Sequence, residues 1–223
     1  MSNSTLVNYT KISPNRTSPR NHKIDTITIH CVVGQCTVEA LGNLFASPSR
    51  QASSNYGIGY DGRIGMYVEE KDRSWCSSNR ANDNRAITIE VASDTKHPYA
   101  INDKAYKALI DLLVDICKRN GIKKLLWKAD KSLIGQVDKQ NMTVHRWFAA
   151  KACPGDYLYS RHGQIADEVN KRLGIVKDEF EEDLQVLVDY EVVNTPSYWR
   201  EQAKKVQYLK ELIHKMANAL KKK

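Results

Sequence analysis

Residues 24–30 read IDTITIH, alternating apolar with polar side chains before ending on a histidine. Successive side chains of a β-strand point to opposite faces of the sheet, so this pattern predicts a strand whose isoleucines face a core. Thr28 and His30 would then stand together on the opposite face. A single histidine at a strand end is more often a structural or surface residue than a functional one. Other segments of the sequence are therefore needed to distinguish a functional histidine from a structural one.

Two further segments repeat the pattern. Residues 87–91 read ITIEV and place Glu90 where the first strand has His30. Residues 143–145 read TVH and place His145 at the equivalent position of a third strand. If the three strands share one sheet, two imidazoles and a carboxylate converge above one face. Because a one-residue slip would turn any of them to the other face, the shared pattern favours a common site.

A cysteine completes a set of metal ligands. Residues 141–155 read NMTVHRWFAAKACPG, which places Cys153 eight residues after His145 and Lys151 two residues before Cys153. Imidazole and thiolate are the ligand types that zinc favours, and three protein ligands with an open fourth position are the catalytic arrangement. The sequence therefore predicts one Zn²⁺ ion per chain, held by His30, His145 and Cys153.

The remaining polar groups suggest what such a metal would be used for. Zinc lowers the pKa of bound water toward ~7. Glu90, on the same face, is placed to take the proton from this water and to pass it to a leaving amine. Lys151 is a candidate for stabilising the oxyanion that forms when a carbonyl is attacked. Together the residues predict metal-assisted hydrolysis of an amide, although each one taken singly fits a structural role as well.

The charge of the chain is uneven. The formal net charge of the 223 residues is +8; residues 1–174 hold 25 basic and 17 acidic residues, and residues 175–223 hold nine of each. A basic domain indicates a polyanionic partner such as nucleic acid or an anionic cell-wall polymer, or else a solvated basic surface with no specific partner. Because no nucleic-acid-binding motif is recognisable, nucleic acid is not an expected partner.

Composition also bears on the compartment. No apolar run approaches the length of a membrane span, so no membrane insertion is expected. The N-terminus lacks an apolar signal segment, which predicts synthesis in the cytoplasm and a separate export route for any work outside the cell. Free thiols are favoured in the cytoplasm, although a disulfide between Cys31 and Cys36 remains an alternative. The odd number of cysteines argues against a complete disulfide framework; they lie at positions 31, 36, 76, 117 and 153.

Secondary structure can be predicted along most of the chain. Residues 1–23 predict a surface arm with one short strand around Leu6–Tyr9, and residues 37–45 predict a helix capped by Thr37. Asp61-Gly62 predicts a two-residue hairpin turn. The segment from Trp75 to Arg85 is expected to be a polar loop. Two later helices are predicted, one after Asn102 that stops at Asn120-Gly121 and one over residues 156–173.

Residues 175–223 predict a separate small helical unit. Thr195 is an N-cap candidate and Pro196 suits the first position of a helix. Apolar residues then follow at steps of three and four, forming a seam too short to stand alone as a coiled coil. The seam is therefore expected to pack on the preceding helix, on the main domain or on another chain; its members are Val206, Leu209, Ile213, Met216 and Leu220.

Four stretches carry a resemblance to a known family. They are residues 27–36, 54–64, 82–91 (NDNRAITIEV) and 143–154, and the resemblance spans about residues 20–174. The chain resembles the zinc-dependent N-acetylmuramoyl-L-alanine amidases related to peptidoglycan-recognition proteins. More narrowly, it is similar to the endolysins of phages and prophages of clostridia and their relatives. The spacing of the histidines, lysine and cysteine is the specific part of the match.

The resemblance implies an α/β fold with a mixed central β-sheet flanked by helices, forming a catalytic domain over residues 1–174. It implies a hydrolase of the peptidoglycan amide between N-acetylmuramic acid and L-alanine, acting on the cell wall as a phage endolysin or as a prophage or bacterial autolysin. The site residues implied are zinc ligands His30, His145 and Cys153, Glu90 as acid and base, Lys151 near the carbonyl, and groove residues Asn55, Trp75 and Asn82.

Three points stay open at this stage. Many relatives have Trp-His where this chain has Trp75-Cys76, which makes a substrate contact at position 76 doubtful. Relatives that lack the ligand cysteine bind wall fragments without cutting them, so a non-catalytic peptidoglycan-binding module is the alternative function. The C-terminal helices are expected either to dock on an anionic wall polymer or to form a homodimer.

Overall fold

The computed structural model describes residues 2–175 and 179–221. The chain divides into two compact units, residues 1–174 and residues 175–223. The strands are β1 (Tyr9–Thr10), β2 (Arg16–Thr17), β3 (Thr26–Cys31), β4 (Tyr56–Ile58), β5 (Ile64–Met66), β6 (Arg73–Ser74), β7 (Ala86–Val91) and β8 (Met142–Thr143). The helices are α1 (Val38–Ala46), α2 (Arg80–Arg85), α3 (Asp103–Asn120), α4 (Gly155–Arg172), α5 (Glu179–Asp189), α6 (Pro196–Gln202) and α7 (Leu209–Leu220).

The first unit is built on a six-stranded sheet in the order β1-β5-β4-β7-β3-β8. All neighbouring strands run parallel except β4 and β5, which form an antiparallel hairpin. A separate antiparallel pair joins β2 to β6. The predicted α/β fold, a mixed sheet flanked by helices, is therefore confirmed.

The central strands bury the faces that their alternation predicts. Ile27 and Ile29 of β3 lie beside Ile87 and Ile89 of β7, and all four are fully buried in the core that α3 and α4 complete. Because β3 and β7 are parallel and in register, His30 lies directly beside Glu90. These two side chains point away from the isoleucines, to the face that carries the candidate site.

The helices α1 and α3 follow their sequence signals. The side chains of Thr37 and Asn102 accept the capping hydrogen bonds from Ala40 N and Ala105 N, as predicted for N-caps. Gly121, at φ +69°, ends α3 in the left-handed conformation that glycine adopts readily. The predicted boundaries of both helices are therefore confirmed to within about two residues.

Two predictions for the first 85 residues are wrong. The N-terminal segment contains the expected short strand, as β1 at Tyr9–Thr10, but it is not simply a surface arm. β2 also pairs with β6, and the buried Arg20 guanidinium donates to the carbonyls of Glu70, Asp72, Asn84 and Ala86. The expected polar loop before β7 contains α2, because the Asn79 side chain caps this short helix by accepting from Asn82 N. Both errors arise because polar residues here satisfy buried backbone groups rather than face water.

The hairpin at Asp61-Gly62 also differs from its prediction. Gly59 pairs with Arg63, so three residues rather than two form the loop, and Gly62 has φ +84°. A three-residue loop with glycine in the left-handed region is the common alternative to the two-residue turn. Asp61 stabilises it by accepting hydrogen bonds from Arg63 N at 3.1 Å and Arg63 Nε at 2.7 Å.

The second unit has its own core, formed by α5 and α7. Leu209, Ile213 and Ala217 of α7 are buried together with residues of α5, including Leu184. The predicted seam is therefore only partly right. Leu220 also packs against this core, but Val206 precedes the helix and is 49% exposed, and Met216 is 37% exposed. Across the described ranges, none of the helices combines the length and apolarity needed to cross a bilayer.

Candidate metal centre

The three predicted metal ligands lie together at the carboxyl end of β3. His30 is fully buried, and Cys153, in the turn before α4, places its Sγ 3.3 Å from His30 Nδ1. The ring centroids of His30 and His145 are 5.2 Å apart. The ligand atoms of His30, His145 and Cys153 all lie within 4.8 Å of one another. The structure therefore brings together three side chains that are separated by up to 123 residues in the sequence.

This donor set fits zinc in its geometry and in the types of its ligand atoms. A nitrogen and a sulfur bound to one tetrahedral zinc are about 3.5 Å apart, close to the observed contact between His30 and Cys153. Burial, with smaller contributions from His145 and His162, lowers the pKa of His30 to about 3, so its imidazole is neutral. The Cys31 thiol and burial together raise the pKa of Cys153. Metal binding would have to displace the Cys153 proton, which makes the affinity depend on pH.

The segment that carries His145 is not the strand that was predicted. β8 ends at Thr143, and a 3-10 helix over His145–Trp147 follows. The chain changes direction at this turn, and Cys153 then lies next to His30. The Nε2 atom of His145 lies 3.0 Å from Ser78 Oγ. Burial, together with the positive charge of Lys151, lowers the pKa of His145 and favours the neutral ring that a metal requires.

The loop between His145 and Cys153 is held closed by Arg146. Its backbone N–H donates to Cys153 O at 3.1 Å, and its guanidinium donates to Ala152 O at 2.6 Å and to Asp156 Oδ1 at 3.0 Å. One side chain therefore connects the loop to the first turn of α4. Lys151 lies on the same loop and is exposed, within electrostatic reach of His145.

Glu90 lies at the edge of the three ligands. Its Oε1 atom is 3.9 Å from both His30 Nδ1 and Cys76 Sγ, and 18% of the side chain is exposed. Among the described residues, its buried Oε2 atom has no hydrogen-bond partner. Burial raises the pKa of Glu90 to about 8. A carboxyl group with an orphaned oxygen and a pKa near neutrality is suited to exchange a proton with a bound molecule.

Two of the three expected groove residues are interior residues instead. Asn55 is fully buried, donates to Val68 O at 3.2 Å and accepts from Thr88 N at 3.2 Å. Asn82 is also buried, beneath the ligands, and is bonded to Thr28 and Thr143. The structure gives no support to substrate contacts at Asn55 and Asn82, because both side chains are buried and paired within the protein.

The third expected groove residue, Trp75, is half-buried and donates its indole N–H to Thr17 Oγ1 at 3.0 Å. Its role at the groove stays a prediction. The neighbouring Cys76 joins a second group of metal-capable donors with His30 and Glu90, again within 4.8 Å of one another. All five cysteines are free thiols, so Cys31 and Cys36 form no disulfide.

Sequence reasoning missed Ser78 and His162. His162 is fully buried on α4, its Nδ1 lies 2.6 Å from Leu158 O, and its ring lies 4.6 Å from that of Trp127. Its spacing from Leu158 and Ile165 is that of a buried helix face, which could have indicated an interior histidine. Ser78 lies in a polar segment with no periodic pattern, so its contact with His145 had no sequence signal.

Comparisons with known proteins agree with this architecture. The sequence profile of a family described as N-acetylmuramoyl-L-alanine amidase matches residues 20–156, more than half of the chain. A search of curated proteins returned no match.

Solved structures show the same fold at low sequence identity. The structure of PlyL is 15% identical with a TM-score of 0.54, covering 73% of this chain and 96% of that one. A mutant endolysin from Bacillus subtilis is 17% identical with a TM-score of 0.54, covering 74% and 99%. The Staphylococcus aureus hydrolase AmiA, in complex with its ligand, is 17% identical with a TM-score of 0.54, covering 79% and 89%.

Proposed function

Because the chain belongs to the N-acetylmuramoyl-L-alanine amidase family, we propose that it hydrolyses the peptidoglycan amide between the lactyl group of N-acetylmuramic acid and L-alanine. The observation that carries the proposal is the convergence of His30, His145 and Cys153 within 4.8 Å, with Glu90 beside them. Two imidazoles and a thiol are ligand types that zinc favours, and a carboxyl group beside them can act as the acid and base of amide hydrolysis.

Each residue then has a stated task. His30, His145 and Cys153 would hold one Zn²⁺ ion per chain, which when bound polarises the scissile carbonyl and lowers the pKa of water. Glu90 accepts a proton from the attacking water and returns it to the leaving amine. Its high pKa suits both halves of that exchange near neutral pH. Lys151, exposed on the loop before Cys153, stabilises the developing oxyanion.

The alternative function is a peptidoglycan-binding module without activity. A family member that only binds needs neither a ligand thiol nor a buried carboxyl group beside it. This chain has both, in Cys153 and Glu90, and their positions favour the enzyme. The narrower assignments remain parts of the proposal: an origin in a phage, prophage or bacterium, and action on the cell wall of a host.

Digestion of purified peptidoglycan with and without a chelator tests the proposal. New L-alanine amino termini without new reducing sugar ends are expected, with loss on chelation and recovery on adding zinc. Cys153→Ser should lose zinc and activity together. Cys36→Ser, at a half-buried thiol outside both donor groups, is the matched control and should keep both. New reducing ends would instead identify a glycosidase, and binding to the wall without release would identify the binding module.

The C-terminal unit is proposed either to bind an anionic wall polymer or to form a homodimer. The exposed Val206, Leu212 and Met216 leave apolar surface available on this unit, while its equal numbers of acidic and basic residues argue against a purely electrostatic polymer site. Light scattering distinguishes a unit that forms a dimer from one that does not. A dimeric full-length protein and a monomeric version ending at Gly174 would support association through the helices, and two monomers would contradict it.

A further inference from the structure

The threonine that precedes each functional residue by two positions forms a row beneath the site. Thr28 lies beside Thr88 of β7 on one side and beside Thr143 of β8 on the other. Thr28 and Thr88 point to the same face as His30 and Glu90, because side chains of a strand alternate. Thr143 lies on that face as the strand partner of Thr28, although His145 lies beyond the end of β8. The row is buried and forms a polar layer on this face of the sheet, two residues before His30 and Glu90 along their strands.

Thr28, Thr143 and Asn82 form a closed ring of hydrogen bonds within this layer. Asn82 Nδ2 donates to Thr28 Oγ1 at 3.0 Å, and Thr143 Oγ1 donates to Asn82 Oδ1 at 2.9 Å. The threonine hydroxyls are 2.7 Å apart. Since the only hydroxyl hydrogen of Thr143 goes to Asn82, Thr28 must donate to Thr143. Each of the three side chains therefore donates once and accepts once around the ring.

The orientation of the Asn82 amide is determined by its neighbours. Ser77 Oγ donates to Asp83 Oδ1 at 2.6 Å, which leaves Ser77 able to accept the second amide hydrogen of Asn82 at 3.1 Å. Turning the amide over would place its oxygen against Ser77 Oγ, whose only hydrogen already goes to Asp83. The ring is thus directional, fully satisfied and shielded from water, which is the condition under which buried polar networks are rigid.

The ring lies where the backbone gives least support. Only two residues of β8, Met142 and Thr143, pair with β3, and the chain leaves the sheet directly afterwards. His145 lies two residues beyond that last pair. The side-chain ring therefore adds to the short backbone pairing that joins the end of β8 to β3.

We propose that the ring of Thr28, Thr143 and Asn82 is a positioning device that sets the separation of His30 and His145 for zinc. It acts through the strands and touches no substrate. Groups that hydrogen-bond directly to metal ligands typically change metal affinity by about 10-fold to 100-fold when they are removed, and this range is taken as the upper bound for a ring that acts through the strands. The inference rests on the proposed zinc site, so zinc binding of the wild-type protein is measured first.

The test compares hydroxyl removal inside and outside the ring. In the full-length protein, Thr143→Val keeps the shape of the side chain and removes its hydroxyl. Thr143→Ser keeps the hydroxyl. Thr26→Val is the matched control, because Thr26 is buried on the same face of β3 but donates to Asp25 Oδ1 at 3.0 Å, away from the ring. Zinc affinity is measured by competition with a chromogenic chelator, and ligand geometry from the visible spectrum of the cobalt-substituted protein.

We expect Thr143→Val to weaken zinc binding, by at most about 10-fold to 100-fold, and to alter the cobalt spectrum. Thr143→Ser should restore both, and Thr26→Val should match the wild type. If Thr143→Val does not fold, Thr28→Ala, which leaves room for water, is measured in the same way. Wild-type affinity and spectrum in the folded ring variant would overturn the positioning role alone. A wild-type protein that binds no zinc would overturn the zinc site and with it this inference.

Discussion

Burial acts in opposite directions on the two ionisable groups that meet at the end of β3 and β7. It lowers the pKa of His30 to about 3 and raises the pKa of Glu90 to about 8, because in each case the charged form loses its hydration. At pH 7 the metal-free site therefore holds a neutral imidazole and a neutral carboxyl group. His30 and Glu90 are therefore not held together by an ion pair.

Replacing Glu90 with glutamine tests its role as acid and base. The amide keeps the size of the side chain but neither accepts nor returns a proton, so we expect kcat to fall by roughly 10²-fold to 10⁴-fold. Zinc binding should persist, since His30, His145 and Cys153 are untouched. Steady-state digestion of peptidoglycan measures the change. Glu168→Gln, which alters a carboxylate paired with Arg172 on α4, should retain activity. A Glu90→Gln variant with activity near the wild type would contradict the assignment.

His162 should make the metal-free protein sensitive to acid. Burial lowers the pKa of His162 from 6.5 to about 4, so the folded state binds fewer protons than the unfolded state between these values. The stability that this group contributes is complete above pH 6.5 and is lost as the pH falls toward 4. The loss is on the order of 3 kcal/mol.

Denaturant unfolding of the metal-free protein at pH 7 and pH 4 measures this loss. His162→Phe keeps an aromatic ring against Trp127 and removes the titrating group. Its unfolding free energy should depend less steeply on pH than that of the wild type. His30 still contributes to the slope of both proteins, so the difference between the two curves is the quantity to compare. Parallel curves would show that His162 does not titrate in this range.

At the scale of elements, the β4–β5 hairpin depends on one glycine. Gly62 has φ +84°, and a Cβ atom there would lie 3.1 Å from the backbone oxygen of Lys104. Gly62→Ala therefore combines backbone strain with a contact that the start of α3 cannot readily relieve. We expect it to destabilise the protein by about 2–3 kcal/mol in denaturant unfolding.

Gly135 separates the two causes. It has φ +87°, but a Cβ atom there would meet nothing within 4 Å. Gly135→Ala should therefore lower the free energy of unfolding only through backbone strain, by about 1–2 kcal/mol. An equal loss in the two variants would mean that the approach of Lys104 contributes nothing. A loss of stability in Gly62→Ala that is smaller than in Gly135→Ala would mean that the hairpin moves away from α3 when the methyl group is added.

At the scale of the whole molecule, the two units have separate hydrophobic cores. The main core contains buried residues from Ile24 to Val169, and the second contains residues from Phe180 to Ala217. Neither cluster includes a residue of the other unit. All the candidate ligands and the ring beneath them belong to residues 1–174.

Ending the chain at Gly174 should therefore leave a folded, zinc-binding unit. We expect it to unfold in one transition whose midpoint matches a transition of the full-length protein, because its core stays complete. Calorimetry of both proteins, with zinc titrations alongside, measures this. Purified peptidoglycan should still be digested, although a tail that binds the wall would raise activity on intact cells. Failure of residues 1–174 to fold would show that the helical unit is required for stability.

Local patterns were sufficient for much of this protein. The alternation in β3 and β7 predicted which face each side chain occupies, and the caps at Thr37, Asn102 and Gly121 predicted helix ends, because these signals depend on a few neighbouring residues. The spacing of His145, Lys151 and Cys153 predicted a metal site for the same reason. The resemblance to the amidase family rested on these same stretches.

Only the tertiary structure decided how the polar residues are used. Asn55 and Asn82 look like groove residues in the sequence, but each satisfies buried threonines of distant strands. Arg20 looks like part of a surface arm, but it is bonded to four backbone carbonyls of residues more than 49 positions away. Composition cannot distinguish a polar side chain that faces water from one that completes a buried network, because the partner is supplied by packing between distant segments.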